Sequence, residues 1–203
     1  MVAGERVKWR GFSIVEVAMA SAIIGIVFAV VLGQVTLTTA ANRQSVARVS
    51  VNMQLSRSLD FIASELRQVS SATLTSPMPG AQSATLFYQK VLDFDISTTP
   101  PSVKLSVPTK IGITPSAGEV LADGTDNDKD GLTDEGRLQM KGIGSAVLID
   151  NAMSVSFLRS ANGRLVNISL EVGFVDSSVV DPTTNKATVR IYQLSRDVYL
   201  MNP

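Results

Sequence analysis

Hydrophobic positions follow two regimes along this chain, one continuous and one alternating. From Val17 to Val35 the sequence VAMASAIIGIVFAVVLGQV runs for nineteen residues without a charge. As a helix rising about 1.5 Å per residue it would span roughly 28 Å, close to the hydrocarbon thickness of a bilayer. Further on, Val46, Val49, Met53, Leu59, Ile62, Leu66 and Val69 recur at spacings compatible with one helical face, while Arg43, Arg48, Arg57, Asp60 and Arg67 are distributed elsewhere. No proline occurs before Pro77. One helix is therefore expected from Phe12 to about Val69, on the order of 87 Å long. Its transmembrane part lies at about 13–35 and its second half rests on a sheet. A bend near Gly33 or in Thr36–Asn42 would divide it in two.

Beyond residue 70 the pattern turns to alternation and β-branched enrichment, at 84–92, 103–107, 154–159, 164–172 and 188–194. Asn162-Gly163, between two of these runs, predicts a hairpin with a type I′ turn, since both residues accept positive φ. Pro100-Pro101 and Asp181-Pro182 mark loops. The fold class expected is α+β: a long N-terminal helix with a transmembrane first half, packed on a mostly antiparallel β-sheet head formed by residues 71–203.

Composition narrows the functions open to such a chain. With 203 residues and 45% apolar content it fills one core and an appended helix, not two large domains. Eighteen basic and eighteen acidic residues cancel, so nothing in the net charge indicates a nucleic-acid partner, whose phosphates Lys and Arg would have to neutralise. Cysteine and histidine are both absent. That excludes disulfides, thiolate metal sites, His-rich zinc sites and the Ser-His-Asp arrangement. Without a convincing nucleophile and base, the expectation is a non-enzymatic protein.

The flank of the apolar run carries Arg6, Lys8 and Arg10 against Glu5, which predicts a cytoplasmic N-terminus and a single-pass helix with the head outside. A secretory signal peptide, a plain signal anchor and a buried core helix are the competing readings. The run continues into polar helical sequence without an A-x-A exit, unlike a cleaved signal peptide.

The junction Gly11-Phe12-Ser13-Ile14-Val15-Glu16, followed at once by the apolar run, resembles the processing site of the type IV pilin-like family, which includes type II secretion pseudopilins. The closing SRDVYLMNP is similar, more weakly, to the end of minor pilins of the W/J-like groups. The resemblance implies a leader over residues 1–11. It also implies a prepilin peptidase that cuts after Gly11 on the cytoplasmic side and methylates the new amine of Phe12. Glu16 then stands at the fifth mature position, where it would pair with the Phe12 ammonium of a neighbouring subunit. Other pilin or pseudopilin subunits, an inner-membrane assembly platform and membrane lipid are the implied partners, and a type IV pilus or type II secretion pseudopilus the destination. No proline interrupts the helix where many members carry one, although Gly25 and Gly33 offer local flexibility.

The residues themselves also constrain Glu16. A carboxylate at the lip of a lipid-facing helix is costly unless paired or extended toward water. A bland alternative is a solvated acid near a helix start.

A second chemically loaded segment spans residues 123–135. Asp126, Asp128 and Asp130 followed by Gly131 reproduce positions 1, 3, 5 and 6 of a calcium loop. Leu132 would offer its carbonyl and Asp134 falls at position 9. Position 12 is Arg137, so the usual glutamate is missing, and Glu135 closes the shell only in a shorter loop. Structural calcium is the expected cofactor, stapling a head without disulfides, and a solvated acidic loop is the alternative. A membrane-tethered, calcium-dependent binding or adhesion module that never polymerises is the rival function.

Overall fold

A computed structural model describes residues 13–97, 99, 102–142, 144–180 and 187–201 of the chain. The predicted processing residues Gly11 and Phe12 lie outside the described residues, as do Pro100-Pro101 and Asp181-Pro182.

Helix α1 is continuous over Ile14–Leu66, 53 residues. Its start is a reciprocal capping box: the Ser13 backbone N–H donates to Glu16 Oε2 at 2.9 Å, and the Glu16 N–H donates to Ser13 Oγ at 3.2 Å. No break occurs at Gly33 or in Thr36–Asn42. The hydroxyls there bond back into the helix, Thr36 to the Gly33 carbonyl at 2.9 Å, Thr38 to Gln34 at 2.8 Å and Thr39 to Val35 at 2.7 Å.

The chain divides into two compact units, residues 1–45 and 46–203. Within the first, every apolar side chain of α1 from Ile14 to Leu37 is exposed. An 18-residue window there has a mean hydropathy of 2.6 and no buried residue, so the helix is long and apolar enough to span a membrane.

In the second unit α1 buries Val51, Leu55, Ser58, Leu59, Ile62, Ala63 and Leu66. This corrects the expected stripe, because Val46, Val49 and Met53 are 69%, 55% and 49% exposed. Each helical residue advances about 100° around the axis. The jump from Met53 to Leu59 therefore changes face, and the two halves of that list lie on opposite sides of the helix. The buried stripe starts instead from Val51 and Leu55. Bonds from Gln68 N–H to the Glu65 carbonyl at 3.1 Å and from Val69 N–H to Leu66 at 3.0 Å tighten the end of the helix, and Val69 joins the core.

The head is an antiparallel sheet. Its strands, in chain order, are β1 (Leu74–Ser76), β2 (Gln82–Ser83), β3 (Thr85–Tyr88), β4 (Val91–Asp95), β5 (Ser102–Leu105), β6 (Thr109–Pro115), β7 (Gly136–Lys141), β8 (Ser145–Arg159), β9 (Leu165–Val180) and β10 (Ala187–Tyr199). The order across the main sheet is β1-β3-β6-β7-β8-β9-β10, with β2 on β8, while β4 and β5 form a separate hairpin. Ile149, Ala152, Val155 and Phe157 of β8 share the core with Val166, Ile168, Leu170 and Val172 of β9 and with the α1 stripe. The α+β expectation holds.

Several expected strands differ in detail. The run 84–92 divides into β3 and β4 at Gln89-Lys90. There the Gln89 N–H leaves the main sheet to meet the Thr73 carbonyl at 3.1 Å, and Lys90 pairs with Glu65 at 2.8 Å. Strands β6 and β7 were not anticipated, although KIGI and GRLQMK do alternate. The hairpin at Asn162-Gly163 joins β8 to β9 as expected, but its turn is not type I′. Gly163 has φ +71° whereas Asn162 is not left-handed. The Gly163 N–H closes on the Ser160 carbonyl at 2.8 Å. Asn162 Oδ1 accepts bonds from Ser160 Oγ at 2.6 Å and the Arg164 N–H at 3.1 Å, so its side chain stabilises the turn without positive φ.

Candidate metal centre

Two short turns and an acidic loop connect β6 to β7, two neighbouring strands. The first turn is closed by the Glu119 N–H on the Ser116 carbonyl at 3.2 Å. It carries Glu119 inward, where only 5% of the residue is exposed. Glu119 Oε2 accepts the N–H groups of Asn127 and Asp128 at 3.1 and 3.3 Å, and Oε1 accepts that of Asp134 at 3.2 Å. One carboxylate thus grips both limbs of the loop. Because Glu119 stands seven positions before Asp126, outside the recurring Asp spacing, the sequence offered no signal for it.

Asp126, Asp128 and Asp130 each accept a backbone N–H of their own loop. Asp126 Oδ2 accepts the Gly131 N–H at 3.1 Å, Asp128 Oδ1 accepts the Asp130 N–H at 3.1 Å, and Asp130 Oδ1 accepts the Leu132 N–H at 2.8 Å. Gly131 turns the chain there at φ +99°, a conformation open to glycine. Lys129 and Asp134 are also left-handed, at φ 63° and 58°, a region uncommon for residues other than glycine and entered more readily by Asp than by Lys.

The other predicted ligands take different places. The Leu132 side chain is 1% exposed and seats the loop on β9: a Cβ at Gly173 would stand 2.9 Å from Leu132 Cδ2. Asp134 Oδ1 accepts the N–H groups of Asp123 and Gly124 at 2.8 and 3.1 Å. Asp123 accepts the Thr125 N–H at 2.9 Å and the Asn127 amide at 2.9 Å, bonds that hold its carboxyl below the usual carboxylate range, the Asn127 bond most strongly. Arg137, in the position of the missing glutamate, turns away to pair with Asp150 at 3.1 Å.

Glu135 is different from all of these. It is 1% exposed, and neither carboxylate oxygen has a hydrogen-bond partner. Burial, and then the nearby charges of Asp130, Glu119 and Asp128, push its pKa up from the ordinary 4.5. The next residue fixes its place, because a Cβ on Gly136 would come within 2.4 Å of the Thr114 carbonyl oxygen. The only other buried side-chain atom without a partner among the described residues is Asp126 Oδ1.

Three carboxylate groups have oxygens within 4.8 Å of one another: Asp126, Asp128 and Asp130; Glu119, Asp128 and Glu135; and Glu119, Asp123 and Asp134. Such clusters could hold a metal ion. The first two contain the unpartnered oxygens, whereas the carboxylates of the third are all engaged with N–H groups of the loop.

Glu16, the assembly residue implied by the family resemblance, is exposed and engaged with Ser13 of its own chain. No family model, curated protein or solved structure matches this chain.

Proposed function

We propose that this chain is a minor pilin or pseudopilin subunit, cut by a prepilin peptidase after Gly11, methylated at Phe12, and assembled into a type IV pilus or type II secretion pseudopilus. The supporting observation is the first part of α1: an uncharged apolar surface that no described residue buries, capped by Ser13 and Glu16, in a protein whose residues from Val51 onward build a core of their own. Such a helix requires lipid or other apolar helices around it. Before assembly it crosses the inner membrane once, with a cytoplasmic N-terminus and a periplasmic head. The peptidase, sister subunits and an assembly platform are its partners.

Calcium is the proposed cofactor, with a structural role. Asp126, Asp128 and Asp130 supply hard oxygen donors at alternate positions, and the buried Asp126 Oδ1 lacks a partner. A bound cation would offset carboxylate repulsion and fasten the loop to the sheet.

The capping box favours a second reading, in which the chain is a tethered calcium-dependent binding module. Glu16 already has a partner within the chain, so its carboxylate does not by itself demand a sister molecule. The substitution Glu16→Gln separates the two. Glutamine preserves the bond to the Ser13 N–H but cannot neutralise an ammonium. The pilin reading predicts normal membrane insertion with at least tenfold loss of incorporation into filaments, about 1.4 kcal/mol of docking energy. Incorporation equal to that of the natural chain would leave Glu16 as a helix cap only.

A further inference from the structure

We infer that Glu119, Asp128 and Glu135 bind a divalent cation, calcium, at a centre distinct from the Asp126–Asp128–Asp130 loop and joined to it through Asp128. The inference rests on the calcium reading of the loop and deepens it, adding Glu119, which the loop spacing does not select, and giving Glu135 an ion other than the one in the Asp loop.

Glu135 is the central observation. A carboxylate with 1% exposure and two unpartnered oxygens is a poor hydrogen-bonding residue but a good metal ligand. Its oxygens converge with those of Glu119 and Asp128 to within 4.8 Å, the greatest separation that ligands about 2.4 Å from one calcium ion can have. Among the described residues, the two basic side chains of this segment do not pair with Glu135. Arg137 is directed to Asp150, and Lys129 is exposed.

Charge supports a second ion as well. Residues 119–135 contain Glu119, Asp123, Asp126, Asp128, Asp130, Asp134 and Glu135 against Lys129 alone. One divalent ion in the Asp loop leaves Glu119 and Glu135 buried as like charges. A second ion between them removes that repulsion, with Asp128 contributing to both shells. An all-carboxylate donor set drawn from separate turns suits calcium better than magnesium, which demands a tighter octahedron and retains its waters.

Such a centre joins parts of the head that the loop ion does not reach. Glu119 belongs to the turn leaving β6, and Glu135 directly precedes β7. The cation would therefore clamp the two ends of the whole connection, closing a loop whose entry and exit already lie on paired strands.

The test is an ion count on the full chain in detergent micelles, stripped with chelator, re-equilibrated with calcium and analysed for metal per chain. The natural chain is expected to carry two ions, Glu135→Gln and Asp130→Asn one each. A natural chain with a single ion, or a Glu135→Gln chain with the full natural count, overturns the proposal. If Asp130→Asn nevertheless loses an ion, the loop reading survives that failure. If the natural chain binds no calcium, both fall together.

Melting guards against a variant that merely folds badly. In chelator, Glu135→Gln should melt above the natural chain, because a neutral amide replaces a buried unpaired charge, and calcium should raise its midpoint less. A variant that melts lower in chelator and gains as much from calcium as the natural chain contradicts the centre.

Discussion

Helix α1 contains two stretches of similar residues in opposite circumstances. Between Val51 and Leu66, apolar side chains recur on one face and disappear into the head, with Leu55, Leu59, Ile62 and Leu66 fully buried. Between Ile14 and Val35 they cover the whole circumference and no described residue buries them. A stripe is what a helix needs to join a core of its own chain. A complete apolar circumference instead requires an apolar medium. The same element thus combines an intramolecular contract with the sheet and an unfilled requirement for lipid or sister helices.

Truncating one aromatic in the core that receives the second stretch, Phe157 of β8, and one in the first stretch sharpens the contrast most. Phe157→Ala empties a fully buried site beneath the second stretch and should cost the head about 3–5 kcal/mol in thermal or denaturant unfolding. Phe28→Ala, from a side chain 63% exposed in the isolated chain, should leave the head's midpoint unchanged. A comparable loss from Phe28→Ala would show that the first stretch belongs to the head's core.

A charge in the first stretch reverses the roles. Ile26→Arg places a cation near the middle of the apolar run, at a cost of about 2.5–3.5 kcal/mol for insertion. The membrane-bound fraction should fall while the head melts as before. Full retention in the membrane would remove the case for a spanning helix.

Polar contacts beneath the second stretch give the smallest of these effects. Tyr88 donates its hydroxyl to Glu65 Oε2 at 3.0 Å, and Lys90 pairs with the same carboxylate at 2.8 Å. Tyr88→Phe should cost about 1.5–3 kcal/mol, the range for a bond to a charged acceptor. Burial first, and then the Glu65 charge, pushes the Tyr88 pKa well above its usual 10.0. A folded-state value raised in this way gives stability that is complete below pH 10.0 and declines as pH rises above it. In alkaline melts the natural chain should therefore converge on Tyr88→Phe. A gap that stays constant beyond pH 10 would mean the phenol ionises as easily in the fold as outside it.

How much of this was legible in the sequence depended on whether a feature is local. Nineteen uncharged residues and a helix without proline are local, and both appear in α1, while the Asp-x-Asp-x-Asp-Gly spacing brings three carboxylates together. Helix phase is nearly local and misled at one step, where the advance of six positions from Met53 to Leu59 turned the stripe to the other face. Position 162 shows the limit of dipeptide rules, since the Asn162 side chain bonds its neighbours and leaves positive φ to Gly163 alone. Glu119 was out of reach altogether. Its role depends on the pairing of β6 with β7, which brings the two ends of a twenty-residue connection together and lets a carboxylate before the motif complete it.

The central claim is that the first stretch of α1 enters a membrane as a prepilin and leaves the peptidase with a new end. The most direct measurement is the intact mass and N-terminal sequence of the chain purified from cells that contain a prepilin peptidase. The account predicts a protein beginning at methylated Phe12. A chain that still begins at Met1 in the presence of active peptidase would contradict it.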